Sequence, residues 1–61
     1  MKEFRVAKNY KSVNLIANII VSEDLDLMVK YEVTALGDSM VVVYGNNEDI
    51  DTLEAVYNMV K

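Results

Sequence analysis

Hydrophobic and polar positions alternate most regularly in the middle of the chain. From Leu27 to Leu36, Val29, Tyr31, Val33 and Ala35 fall on one side of an extended chain, and Lys30, Glu32 and Thr34 on the other. That is the period of a strand with one buried and one polar face. Gly37-Asp38-Ser39 supplies a short turn. Met40–Tyr44 is a further extended run, with Met40, Val42 and Tyr44 on one face and Val41 and Val43 on the other. Having no polar face, this strand is expected to be covered twice, by its own helix and by a second subunit or a target protein.

After Gly45 the period changes. Ile50, Leu53, Val56, Tyr57 and Val60 recur at helical spacing, which predicts a C-terminal helix with one buried stripe. Asn46 or Asn47 is suited to cap it. Glu48, Asp49 and Asp51 fall in the first turn, where the helix dipole favours negative charge. Glu48, Asp51, Glu54 and Asn58 lie on the opposite arc, as a solvated face or as recognition residues.

Ser12–Val21 fits two periods. Val13, Leu15, Ala17, Ile19 and Val21 alternate as in a strand, whereas Val13, Ile16, Ala17 and Ile20 share a helix face. Half of this segment is Val or Ile, which favours the strand. The acidic stretch Ser22–Asp26 reads as a connection, and residues 1–9 as either a flexible arm or a short edge strand. The expected fold is α+β: a three-stranded antiparallel meander with a C-terminal helix packed on one face, in a single domain spanning residues 1–61.

A chain of 61 residues buries only about 60% of its unfolded surface, so a lone domain of this size is marginal. It has no cysteine and no histidine, which removes disulfides, thiolate nucleophiles, imidazole bases and the usual transition-metal ligands. Oligomerisation is then the expected stabiliser, as a homodimer. Val41, Val42, Val43, Leu53 and Tyr57 are its candidate interface or core residues. No apolar run approaches a membrane span and the N-terminal segment has no apolar signal core, so a cytoplasmic location is expected.

The net charge of −4 is unevenly spread. In the first eleven residues Lys2, Arg5, Lys8 and Lys11 face only Glu3, while the remaining chain sets two lysines against nine acids. Such an acidic body lacks the basic clusters that grip phosphates, so direct nucleic-acid binding is not expected, whereas a basic protein partner suits it. Catalytic chemistry is thin. The serines and threonines have no histidine to activate them. Two glycines do not make a phosphate-cradling loop. Asp24-Leu25-Asp26 starts like a calcium loop but lacks its later glycine and closing glutamate. A binding protein without cofactor or metal is expected.

Val42-Val43-Tyr44-Gly45-Asn46-Asn47-Glu48-Asp49 resembles the small acidic uracil-DNA glycosylase inhibitors of protein-primed Bacillus phages, which carry an apolar–Tyr-Gly-Asn stretch before an acidic C-terminal helix. The likeness extends over about Tyr10–Lys61 and includes the strand pair Tyr31-Glu32. It implies a three-stranded antiparallel sheet with a helix, a homodimer, and DNA mimicry in the cytoplasm of a bacterial host. The target is the glycosylase's basic groove, from which an apolar side chain is pushed into the base stack as uracil is flipped out. An inhibitor of it needs acids spaced like phosphates and an apolar pocket. By the resemblance, Glu32 is the strand glutamate, and Met40 and Tyr44 are the pocket pair, Met40 standing where the family has phenylalanine. Glu48, Asp51 and Glu54 are the next partner-binding candidates. The competing expectations are an acidic phage-type dimer aimed at another host DNA-binding or defence protein, and a regulatory dimer using its basic N-terminal arm on nucleic acid.

Overall fold

A computed structural model describes residues 2–60; Met1 and Lys61 lie outside the described residues. The elements run β1 (Lys2–Ala7), α1 (Tyr10–Ser22), β2 (Leu27–Val33), β3 (Ser39–Gly45) and α2 (Asn47–Val60). The sheet is three-stranded and antiparallel in the order β1-β3-β2. β1 and β2 therefore run parallel to one another, joined through α1, with β3 inserted between them.

This corrects the expected meander at two places. Residues 12–21 are helix, not strand. The reason lies just upstream: Asn9 caps α1 by accepting from the Ser12 N–H (2.9 Å), and the Ser12 Oγ accepts the Asn9 N–H (3.1 Å), a reciprocal capping box. The helix then buries Ser12, Ile16 and Ile19 on one stripe and leaves Asn14 and Asn18 in water. Tertiary burial of that stripe outweighs the modest helix penalty of the β-branched residues. The third strand comes from the segment before Tyr10: Lys2–Ala7 pairs with Gly45–Met40 along the edge of β3.

α1 ends in a Schellman arrangement. The Leu25 N–H reaches the Ile20 carbonyl (3.0 Å) and the Asp24 N–H the Val21 carbonyl (3.3 Å), with Asp24 left-handed at φ 52°. β2 and β3 are joined by a tight hairpin. The Thr34 N–H donates to the Asp38 carbonyl (2.8 Å), the Gly37 N–H donates to the Thr34 carbonyl (2.9 Å), and Gly37 takes φ 88°. Asn46 caps α2, its side-chain oxygen accepting the Asp49 N–H at 2.8 Å. At the end of β3, Gly45 leaves room for Leu27, whose side chain would lie 2.7 Å from any added Cβ.

Both helices lie on one face of the sheet. Their core joins Ile16, Ile19, Val41, Val43, Ile50, Leu53 and Tyr57, flanked by Phe4 and Val6. Phe4 meets Tyr57 edge-on at 5.2 Å. The candidates Val41, Val42, Val43, Leu53 and Tyr57 are all buried within this one chain, so they are core and are not available as a surface for a second copy.

The opposite face of the sheet carries no helix. There Val42 is nonetheless fully buried, and its cover differs from the expected one. Arg5 on β1 and Lys30 on β2 stand directly across from it, and both reach Glu32, at 2.9 and 3.0 Å. Their aliphatic stems shield the valine while their charged ends meet above it. The apolar third strand is thus closed by its own neighbours, without a second subunit.

Candidate functional site

Period-2 geometry places Glu32, Met40 and Tyr44 on the open face, with Glu32 opposite Met40 and Met28 opposite Tyr44. The chemistry there is not that of a bare phosphate mimic. Glu32 accepts from both Lys30 and Arg5, and Arg5 also approaches Glu3 at 3.7 Å. Hydrogen bonding from Lys30, then from Arg5, holds the Glu32 carboxyl below its ordinary range, and the same Glu32 contact raises the Lys30 ammonium. Two acids and two cations share this patch, so its charge is locally balanced.

The helix candidates lie on the other side of the sheet. Asp51 pairs with Lys2 at the start of β1, a contact that raises the Lys2 ammonium, with Glu54 adding a smaller share. Glu48 stands in the first turn of α2. Glu32, Met40 and Tyr44 on one hand, and Asp51 and Glu54 on the other, therefore do not form a single surface.

One end of the molecule does gather unpaired acids. The Asp26 N–H donates to the Asp49 carboxylate at 3.1 Å, which also accepts from the Asn46 side-chain amide at 3.1 Å. This ties the turn carrying Glu23, Asp24 and Asp26 to the start of α2, with Glu48 beside Asp49. Among the described residues, none of these five acids takes part in an ion pair. An open groove of about 570 Å³ runs along the same end, lined by Asp26, Met28, Tyr44, Gly45 and Asn46. Met28 and Tyr44 supply its apolar wall and Asp26 its charged group.

Tyr44 thus keeps the position expected of it, but its apolar companion is Met28 rather than Met40. Asp26, Met28, Asn46 and Asp49 are not among the partner-binding residues expected from sequence: Asn46 reads as a helix cap and Asp49 as a first-turn acid. The facing of Met28 and Tyr44 depends on the β2–β3 register, and here the expected turn is corrected: the connection is residues 34–38 and Ser39 pairs with Val33, whereas a turn at Gly37-Asp38-Ser39 would have set Glu32 opposite Tyr44. The three acids of the turn read as a connection, with a calcium-loop start that lacks the rest of the loop. Lys8 and Lys11 lie at the far end of α1, about 20 Å away for a helix of this length. The molecule is consequently polar in its charge as well as acidic in total.

A larger concavity, about 610 Å³, follows the α1–α2 seam past Asn9, Asn14, Asn18 and Tyr57. It brings together amides and a buried tyrosine without a charged group in its wall other than Lys11, so the acidic groove is the better candidate on chemical grounds. Among the described residues, no group of three or more metal-ligating side chains occurs and no helix is long and apolar enough to cross a membrane. Comparisons with protein families, curated proteins and solved structures find no match to the chain.

Proposed function

We propose that the protein is an inhibitor of uracil-DNA glycosylase that works as a homodimer and blocks the enzyme's DNA-binding groove by mimicking DNA. The observation that carries this reading is the acidic end, where Glu23, Asp24, Asp26, Glu48 and Asp49 form no ion pair among the described residues and Asp26 lines the Met28–Tyr44 groove. A DNA-binding groove is basic because its ligand is anionic, and carboxylates without an internal ion pair are the groups suited to enter it. The apolar wall beside them offers a seat for the side chain that the glycosylase inserts into the base stack. The choice of this target rests on the Tyr44-Gly45-Asn46 likeness, and α1 stands outside what that likeness implies.

The experiment is uracil excision from a labelled oligonucleotide by a bacterial glycosylase, with the protein titrated in. Expected is loss of activity near one dimer per enzyme, with association slowed by added salt because opposite charges steer the encounter. Asp26→Lys with Glu48→Lys should abolish inhibition, while Glu32→Gln should weaken it less, since Glu32 is already matched by Arg5 and Lys30. Full excision at large excess of protein refutes the glycosylase as target. The same acidic end favours a second reading, an inhibitor of another host DNA-binding or defence protein. A pull-down in which the charge-reversed variant captures nothing would identify that protein.

A further inference from the structure

The strand β2 is an edge strand that is apolar on the wrong side. Its row Val29, Tyr31 and Val33 shares the sheet face on which the helices pack. Yet these side chains are 42%, 56% and 72% exposed. The helices cover β1 and β3 and stop short of β2, leaving a narrow groove of about 140 Å³ between Val13 and Ala17 of α1 and Val29 and Tyr31 of β2. The backbone edge is open as well. The Thr34 N–H bonds to Asp38 across the hairpin. By the alternation of an antiparallel ladder, the N–H and C=O groups of Val29, Tyr31 and Val33 then point away from β3. The edge has no proline and no charged side chain of its own in the inward row; its charged residues, Lys30 and Glu32, stand on the other face, and the Lys8 ammonium lies over the Tyr31 ring at 4.6 Å.

We infer that β2 pairs antiparallel with β2 of a second copy, about a two-fold axis through Tyr31. The choice of occupant comes from the segment itself. Val29-Lys30-Tyr31-Glu32-Val33 is complementary to its own reverse. In this register Tyr31 lies opposite Tyr31, Val29 opposite Val33, and Lys30 opposite Glu32 of the other copy. Shifting the axis to Lys30 sets two lysines face to face, and shifting it to Glu32 sets two glutamates face to face, both destabilising on a sheet. Only the Tyr31-centred pairing matches charge with charge. The outward backbone groups of Val29, Tyr31 and Val33 then find partners, the Val–Tyr–Val rows of two copies adjoin, and the two sheets join into one of order β1-β3-β2-β2-β3-β1. This specifies the interface of the homodimer proposed above and rests on that part of the reading.

The test uses the absence of cysteine in the chain. Facing residues in a hydrogen-bonded antiparallel pair have Cα atoms about 5.5 Å apart, within disulfide reach. Under mild oxidation, Tyr31→Cys should form a covalent dimer. Val29→Cys alone should not, and Val29→Cys mixed with Val33→Cys should. Sedimentation of the unmodified protein should show a dimer, and Val33→Lys, at an exposed site, should weaken self-association on the order of tenfold with its far-UV circular dichroism unchanged. A monomer at all concentrations overturns the inference. So does a dimer in which Val29→Cys cross-links to itself or Tyr31→Cys does not cross-link. Because no target enzyme is present, failure here leaves the excision assay to decide the inhibitory reading by itself.

Discussion

Replacing Ser12 by alanine tests whether the capping box decides the conformation of residues 10–22. Ser12 is 4% exposed. Its hydroxyl accepts the Asn9 N–H at 3.1 Å and donates to the Ala7 carbonyl at 2.7 Å, so it ties the end of β1 to the start of α1. Two hydrogen bonds at about 1 kcal/mol net each make a loss of about 2 kcal/mol. Alanine returns about 0.5 kcal/mol through its better helix propensity. The net cost is therefore about 1.5 kcal/mol, rising towards about 3 kcal/mol where water fails to reach the orphaned Ala7 carbonyl. In a domain of this size each kcal/mol moves the midpoint by about 4–8 °C, so thermal unfolding followed by circular dichroism should fall by about 6–12 °C at equal protein concentration. Asn9→Ala should cost about 1 kcal/mol as a lost N-cap. The double variant should cost less than the sum, because either change already opens the box. A midpoint within about 2 °C of the unmodified protein, or strict additivity, refutes the reasoning: the hydroxyl would then not be holding the helix start.

Two further outcomes follow from the backbone and the charges. Asp24 sits left-handed at φ 52°, a conformation that costs a non-glycine residue about 1 kcal/mol, so Asp24→Gly should raise stability by roughly that amount in urea titration; a loss would mean that its carboxylate contributes more than the backbone does. Glu32, held below its ordinary value of 4.5 by Lys30 and Arg5, contributes stability that is fully present above the unfolded value and is lost as pH falls through the lower folded one. Unfolding midpoints measured from pH 6 downward should therefore decline below about pH 4.5, and Glu32→Gln should flatten that decline; an unchanged slope would mean that other carboxylates carry it.

The parts of the fold legible in the sequence were those whose period is unambiguous and whose partners are near in sequence. β2, β3 and α2 follow directly from alternation and from the 3.6-residue stripe, and the hairpin keeps β2 beside β3. α1 was obscured because its five Val and Ile residues favour a strand, while the Asn9–Ser12 pair that fixes the helix lies at the boundary of the apolar run. Asn14 and Asn18, four residues apart, were a signal for the helix that the alternating reading had to place among apolar side chains. β1 could not be ranked against a flexible arm, since its alternation is short and its partner lies some forty residues on. That gap also hid the balance at the candidate site. Without the Arg5–Val42 register, Glu32 read as a free carboxylate and Val42 as a surface awaiting a partner. The acidic end was equally hidden, because only folding brings the Asp26 backbone to Asp49.

The central position of β3 has a kinetic consequence. Its pairing with β2 closes a short loop, whereas its pairing with β1 encloses α1, the acidic turn and β2, and must wait for a much longer closure. The hairpin and α2, which follow one another in sequence, are the local unit on which a nucleus forms most readily. β1 and α1 then add as a single flap, tied together through Ser12 and Ala7, hinged at the acidic turn and latched through the β1–β3 pairing and Lys2 to Asp51. In the reverse direction this flap is expected to peel away first, withdrawing Ile16 and Ile19 from the core while the hairpin and α2 stay together.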